Sequence, residues 1–145
     1  MSQFEKSEVA SKVLGCAITV HNAIGPGVFE SVYDECLAYE FKRQGLEYER
    51  QVVVPVVYMD VKVECSFRVD FVVARELVVE LKAVEQILPV HRCQVQTYLR
   101  LLNLRQGFIL NFNVPLMRDG IVSVLNPAFR PGAAEGGGRS TENQK

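Results

Sequence analysis

The tightest constraint on this chain is a pair of β-branched apolar runs broken by charge. They are Val69-Asp70-Phe71-Val72-Val73 and Val78-Val79-Glu80-Leu81-Lys82. Side chains alternate faces along a strand, so every second residue points the same way. Glu80 and Lys82 therefore share one face, with Cα atoms roughly 6–7 Å apart, and Val79, Leu81 and Ala83 take the other. If the segment from Arg68 to Val73 is the antiparallel neighbour, Asp70 lies across from Glu80 or one diagonal away. Two carboxylates and an ammonium then converge in the middle of a sheet. Such groups are rarely buried unless they are paired or bind a metal.

The chain around this inlay is long enough to bury it. With 145 residues, 48% of them hydrophobic, it can form one domain with a real core. We expect that domain over residues 1–128 and a disordered, Gly-rich tail over 129–145, where Arg130-Pro131-Gly132 and Gly136-Gly137-Gly138 offer nothing to bury. No apolar run approaches the ~20 residues of a membrane span, and Met1–Lys6 lacks the basic-then-apolar build of a secretory signal. A cytoplasmic location is the expectation. Cys16, Cys36, Cys65 and Cys93 are scattered without a C-x-x-C pair, so they read as buried free thiols and not as zinc ligands. The net charge of −1 gives no global basic field for nucleic acid, and such a partner would need a local patch.

Val9, Val13, Cys16, Ala17, Val20 and Ile24 recur at helical spacing, predicting a helix over about Phe4–Ala23 with Ser2-Gln3-Phe4-Glu5 as its capping box. Gly25-Pro26-Gly27 breaks it. A second helix, about Val28–Gln44, carries the stripe Phe29, Val32, Tyr33, Cys36, Leu37 and Phe41. The period then drops to two. Strands are expected at Arg50–Tyr58, with Pro55 marking an edge or bulge, at Lys62–Val73 and at Leu77–Val84. Pro89 opens a third helix bearing Val90, Cys93, Gln94, Thr97, Tyr98 and Leu101 on one side. Gly107–Asn111 is a fourth strand and Ile121–Leu125 a short fifth. The sum is an α+β domain with helices on a mixed sheet of four to five strands, the strand after the third helix returning parallel to the one before it.

Two acids beside a lysine suit phosphodiester cleavage. The acids hold a hard cation such as Mg²⁺ through oxygen, the ion polarises the phosphate, and the lysine orients water or steadies charge. The spacing alone is a weak pattern and favours a partly buried Glu80–Lys82 ion pair with Asp70 capping a strand end. Elsewhere, Glu30 and Tyr33 stand three apart at a helix start, although an acid there also satisfies the helix dipole. Gln94 lies on the apolar side of the third helix, where burial would demand a polar partner. His91 and Arg92 at that helix's start are placed to contact phosphate.

Taken together, Gly27-x-x-Glu30-x-x-Tyr33, Asp70, Glu80-Leu81-Lys82 and Gln94 with Tyr98 resemble the GxxExxY proteins of the PD-(D/E)XK nuclease superfamily. Val79–Glu85, Leu88–His91 and Leu110–Pro115 share the likeness, which runs over about residues 7–125. The resemblance implies the αβββαβ, restriction-endonuclease-like core. It implies Asp70 and Glu80 as metal ligands, Glu30 as an additional acid, Lys82 as the catalytic lysine and Gln94 as a polar residue of the site, with Tyr33 and Tyr98 in support. Val69 stands where the superfamily pattern has proline. The expected cofactor is Mg²⁺ or Mn²⁺ and the expected partner DNA or RNA. A homodimer through Leu99, Leu102 and Leu104 is also expected. The competing expectation is a non-catalytic scaffold or partner-binding module on the same fold.

Overall fold

Ser7 starts the first helix: its hydroxyl accepts the Ala10 N–H, the N-cap arrangement that satisfies an orphan donor. The computed structural model describes residues 7–132, and only the backbone of residues 64–66. The predicted capping box at Ser2–Glu5 lies outside the described residues, as does most of the expected tail. Phe129 and Arg130, assigned to that tail, are tied back: Arg130 and Asn103 exchange hydrogen bonds, and the Arg105 guanidinium lies over the Phe129 ring.

The elements are α1 (Glu8–Ile24), α2 (Glu30–Arg43), β1 (Tyr48–Tyr58), β2 (Val61–Val73), β3 (Leu77–Lys82), α3 (Pro89–Leu102), β4 (Gln106–Asn111) and β5 (Ile121–Leu125). A 3₁₀ turn at Met117–Gly120 precedes β5. The five strands form one sheet in chain order. β1, β2 and β3 are an antiparallel meander, α3 carries the chain over to a parallel β4, and β5 returns antiparallel at the far edge. The α+β, restriction-endonuclease-like arrangement expected from the sequence is what the chain adopts. Pro55 sits in edge strand β1 at a register shift between Val54 and Val56, where its missing N–H leaves no ladder bond unmade.

Each face of the sheet has its own core. α1 and α2 cover Phe71, Val79, Leu81, Phe108 and Leu110, whereas α3 covers Val69, Val78, Ile109 and Val124. Both predicted helix stripes need correction. Phe29 is the N-cap of α2 and is 82% exposed, and Val32 is exposed too; the buried face is Tyr33, Leu37, Ala38 and Phe41. On α3 the buried residues are Val95, Tyr98 and Leu99, while Val90, Cys93 and Leu101 face outward. Leu99 is core, and Leu102 and Leu104 pack against it, so these leucines are spent on the sheet and do not form the expected dimer surface. Of the cysteines, Cys16 is a buried free thiol, with burial pushing it up to about 11, but Cys36 is only half-buried and Cys93 is exposed. Among the described residues no helix is long and apolar enough to cross a membrane.

Candidate active site

The β2–β3 ladder runs Val73–Leu77, Val72–Val78, Phe71–Val79 and stops. The next pair would be Asp70 and Glu80. There, side chains take over from main chain: Asp70 Oδ2 accepts the Leu81 N–H at 2.9 Å, and Glu80 Oε1 accepts the Asp70 N–H at 3.2 Å. The two acids thus stitch the strands where the ladder opens. Across β1 the same level is irregular. Gln51 has φ +51°, and neither Gln51 nor Asp70 joins the β1–β2 register. The face alternation inverts at this step: Phe71 and Val73 pack under α1 and α2, but Phe67 and Val69 pack under α3. Asp70 sits at the inversion, which is why a strict two-residue period misplaces it by half a step.

Burial and repulsion dominate the electrostatics. Glu80 is only 6% exposed, and desolvation, then the Asp70 charge, push its carboxyl up to about 8. Desolvation also raises Asp70, partly offset by the Leu81 N–H, with Asp34 adding repulsion and Lys82 and Gln51 easing it. Glu30, at the start of α2, is exposed as a residue. Its carboxyl is nevertheless raised by partial burial and by Asp70, and Lys82 and the Ala83 backbone work the other way. Three acids therefore feel one another around Lys82. That lysine makes no ion pair within 4.0 Å among the described residues, so the sequence's alternative of a Glu80–Lys82 salt bridge is not what forms.

The motif residues around Glu30 have separate jobs. Gly27 has φ +98°, a conformation that favours glycine. Tyr33, fully buried, stacks on Phe112 at 4.4 Å between ring centroids, donates its hydroxyl to the Gly25 carbonyl at 2.6 Å, and accepts the Val28 N–H. It clasps the α1–α2 loop, and so fixes where α2 starts and where Glu30 projects. Glu30, Asp34, Arg50, Gln51 and Asp70 line a cleft of about 450 Å³. Arg50 binds both Asp34 and Glu35, leaving Glu30, Asp70 and Glu80 without an arginine partner among the described residues. Sequence reasoning missed Gln51, Asp34 and Arg50, whose roles come from tertiary placement alone.

Beyond β3 the chain is held by Asn111, buried at the end of β4. Its side chain accepts the Val84 and Asn113 N–H groups and donates to the Val84 carbonyl, while the Phe112 N–H bonds the Lys82 carbonyl. Lys82 is thereby fixed at its backbone, while its ammonium makes no ion pair among the described residues. No side chain fits at Gly120, where a Cβ would meet the Asn111 carbonyl at 1.9 Å. Tyr98 packs edge-on against Phe67 from α3, and burial with the Glu80 and Asp70 charges lifts its hydroxyl to about 12. Gln94 is half-buried and makes no hydrogen bond among the described residues, so nothing there ties it to the acids. His91 caps α3, its Nδ1 accepting the Leu88 N–H at 2.9 Å, and Arg92 is exposed in a separate groove.

Among the described residues no three His, Cys, Asp or Glu side chains are gathered closely enough to hold a metal ion. The Asp70–Glu80 pair is brought together, and Glu30 stands off. The donor chemistry nonetheless fits a hard divalent cation: oxygen ligands, mutual repulsion and no neutralising arginine. The opened sheet seam thus holds a buried Glu80 and a half-buried Asp70, with Lys82 two residues on. A profile of the PD-(D/E)XK nuclease superfamily matches residues 7–124, most of the chain, and the protein belongs to that superfamily. No curated protein and no solved structure matches it. Nucleases of this superfamily generally use divalent metals, and membership implies binding of nucleic acid.

Proposed function

We propose that this protein is a Mg²⁺- or Mn²⁺-dependent nuclease of the GxxExxY group. The observation that supports this most is the set of three mutually repelling acids, Glu30, Asp70 and Glu80, around a Lys82 that makes no ion pair among the described residues. Asp70 and Glu80 would hold the ion, with Glu30 as the third carboxylate. A bound divalent cation supplies Lewis acidity to the phosphodiester and favours ionisation of water. Lys82 places its ammonium beside the scissile phosphate, where it steadies the negative charge that develops there. A cation held there would favour the ionised carboxylate of Glu80, offsetting what burial has raised. Asn111 keeps the backbone of Lys82 in register with the acids.

The test is incubation of the full chain with single- and double-stranded DNA and RNA in Mg²⁺ or Mn²⁺. Cleavage of at least one substrate, lost in Asp70→Asn, is expected. Melting with titrated metal gives a second reading, because an ion that binds only the folded state raises Tm. No cleavage and no metal-dependent rise in Tm would favour the scaffold.

A further inference from the structure

A second depression lies on the other side of the molecule, between α3 and β5. It is about 750 Å³ in volume and is lined by Arg92, Gln96, Arg105, Ser123 and Asn126 among others, with no acid in its wall. Its surroundings continue the theme. From Gln86 to Arg118 the chain has no Asp or Glu and four arginines, Arg92, Arg100, Arg105 and Arg118. Residues 7–85 carry eight Lys or Arg against thirteen Asp or Glu, a formal −5, whereas residues 86–132 carry five against one, a formal +4. The near-neutral total conceals two halves of opposite sign. Arg92, Gln96 and Arg100 follow one another at four-residue spacing on the exposed side of α3.

We infer that this groove seats the sugar–phosphate backbone of the substrate strand, with Arg92 and Arg105 on phosphates and Gln96, Ser123 and Asn126 as neutral polar contacts. The inference deepens the nuclease reading and rests on it. An acid-lined cleft repels a polyanion, so the grip on a nucleic acid has to come from elsewhere on the surface. The groove begins at Pro89, the end of α3 that is reached from Lys82 through residues 83–88, and extends to Arg105 at the start of β4. Two guanidinium groups, Arg92 on α3 and Arg105 just before β4, in a wall without acids suit the phosphates of a polyanionic backbone.

The experiment reads binding apart from cleavage. Fluorescence anisotropy is followed for labelled single-stranded DNA, duplex DNA and RNA of about 20 nucleotides, with EDTA present, over a series of salt concentrations. The full chain is compared with Arg92→Ala/Arg105→Ala, with Arg92→Lys/Arg105→Lys, and with Arg75→Ala in the β2–β3 turn. All three positions are exposed and outside the acid cleft. For whichever nucleic acid the wild type binds, the double alanine variant should lose roughly tenfold in affinity and flatten the log–log salt slope by about 1–2. The double lysine variant should keep most of the slope, and Arg75→Ala should match wild type. Unchanged affinity and slope in the double alanine variant would overturn the groove. So would absence of wild-type binding to all three nucleic acids. Binding that depends on the arginines without cleavage in Mg²⁺ supports the groove and removes only the hydrolase reading.

Discussion

The acid cleft under α2 and the arginine groove beside α3 are built on opposite halves of the chain and obey opposite rules. In the cleft, like charges are crowded together and partly dried, so that carboxyl groups are held above their ordinary range. In the groove, like charges are set apart at the surface, Arg92 on α3 and Arg105 before β4 with its guanidinium over the Phe129 ring. The first arrangement costs folding free energy and creates a demand for a cation; the second costs almost nothing and offers a long-range attraction. A molecule that must approach a polyanion with a cluster of carboxylates gains from keeping the two apart.

The sharpest way to break this comparison is a double dissociation. Asp70→Asn and Lys82→Ala should reduce the cleavage rate by about 10²–10³-fold, the scale of losing a charge-stabilising group, while leaving anisotropy-measured affinity within a factor of about two of wild type. Arg92→Ala/Arg105→Ala should do the reverse, raising KM with kcat little changed. If each variant loses both properties together, the division of labour is wrong.

Glu80 tests the cost of the cleft. Its folded value of about 8 lies above the ordinary 4.5, so as pH rises the unfolded chain releases this proton first. The metal-free protein therefore has the full contribution of this group below about pH 4.5, loses it progressively up to about pH 8, and carries the whole penalty above that. Glu80→Gln keeps an oxygen for the Asp70 N–H and removes the charge. At pH 8.5 in EDTA it should be more stable than wild type by on the order of 2–3 kcal/mol, with the gap closing toward pH 5 in thermal melts, and it should not cleave.

Two smaller effects probe the supports. Asn111→Ala leaves the half-buried Val84 N–H and carbonyl without that partner and should cost about 2 kcal/mol in urea unfolding, with a fall in kcat as the strand end carrying Lys82 loosens. Tyr33→Phe removes the hydroxyl's bonds to the Gly25 carbonyl and the Val28 N–H and keeps the stack on Phe112. About 1 kcal/mol is expected, and a metal affinity that falls with it would show that the loop clasp sets the position of Glu30.

Much of this could be read from the residues alone, because period and punctuation carry it. Strand limits emerged within two residues, and the parallel return after Pro89 followed from a helix lying between two β runs. The helix faces failed for a physical reason. On α3 the rows Val90–Cys93–Tyr98–Leu101 and Val95–Tyr98–Leu99–Leu102 are both apolar at helical spacing, and only the sheet beneath decides between them. Phe29 is apolar yet serves as a cap, which hydropathy cannot register. The site acids were visible as charges in β runs, but the left-handed Gln51 and the inversion at Asp70 were not. A non-glycine residue adopts that conformation under tertiary constraint and not by propensity.

The interrupted ladder between β2 and β3 makes two main-chain amides into witnesses. The Asp70 and Leu81 N–H groups donate to the very carboxylates that would change partners when a proton leaves or an ion arrives. In a ¹⁵N-labelled sample their resonances should move together and titrate with the acids, giving a spectroscopic gauge of the centre's occupancy that requires neither substrate nor dye.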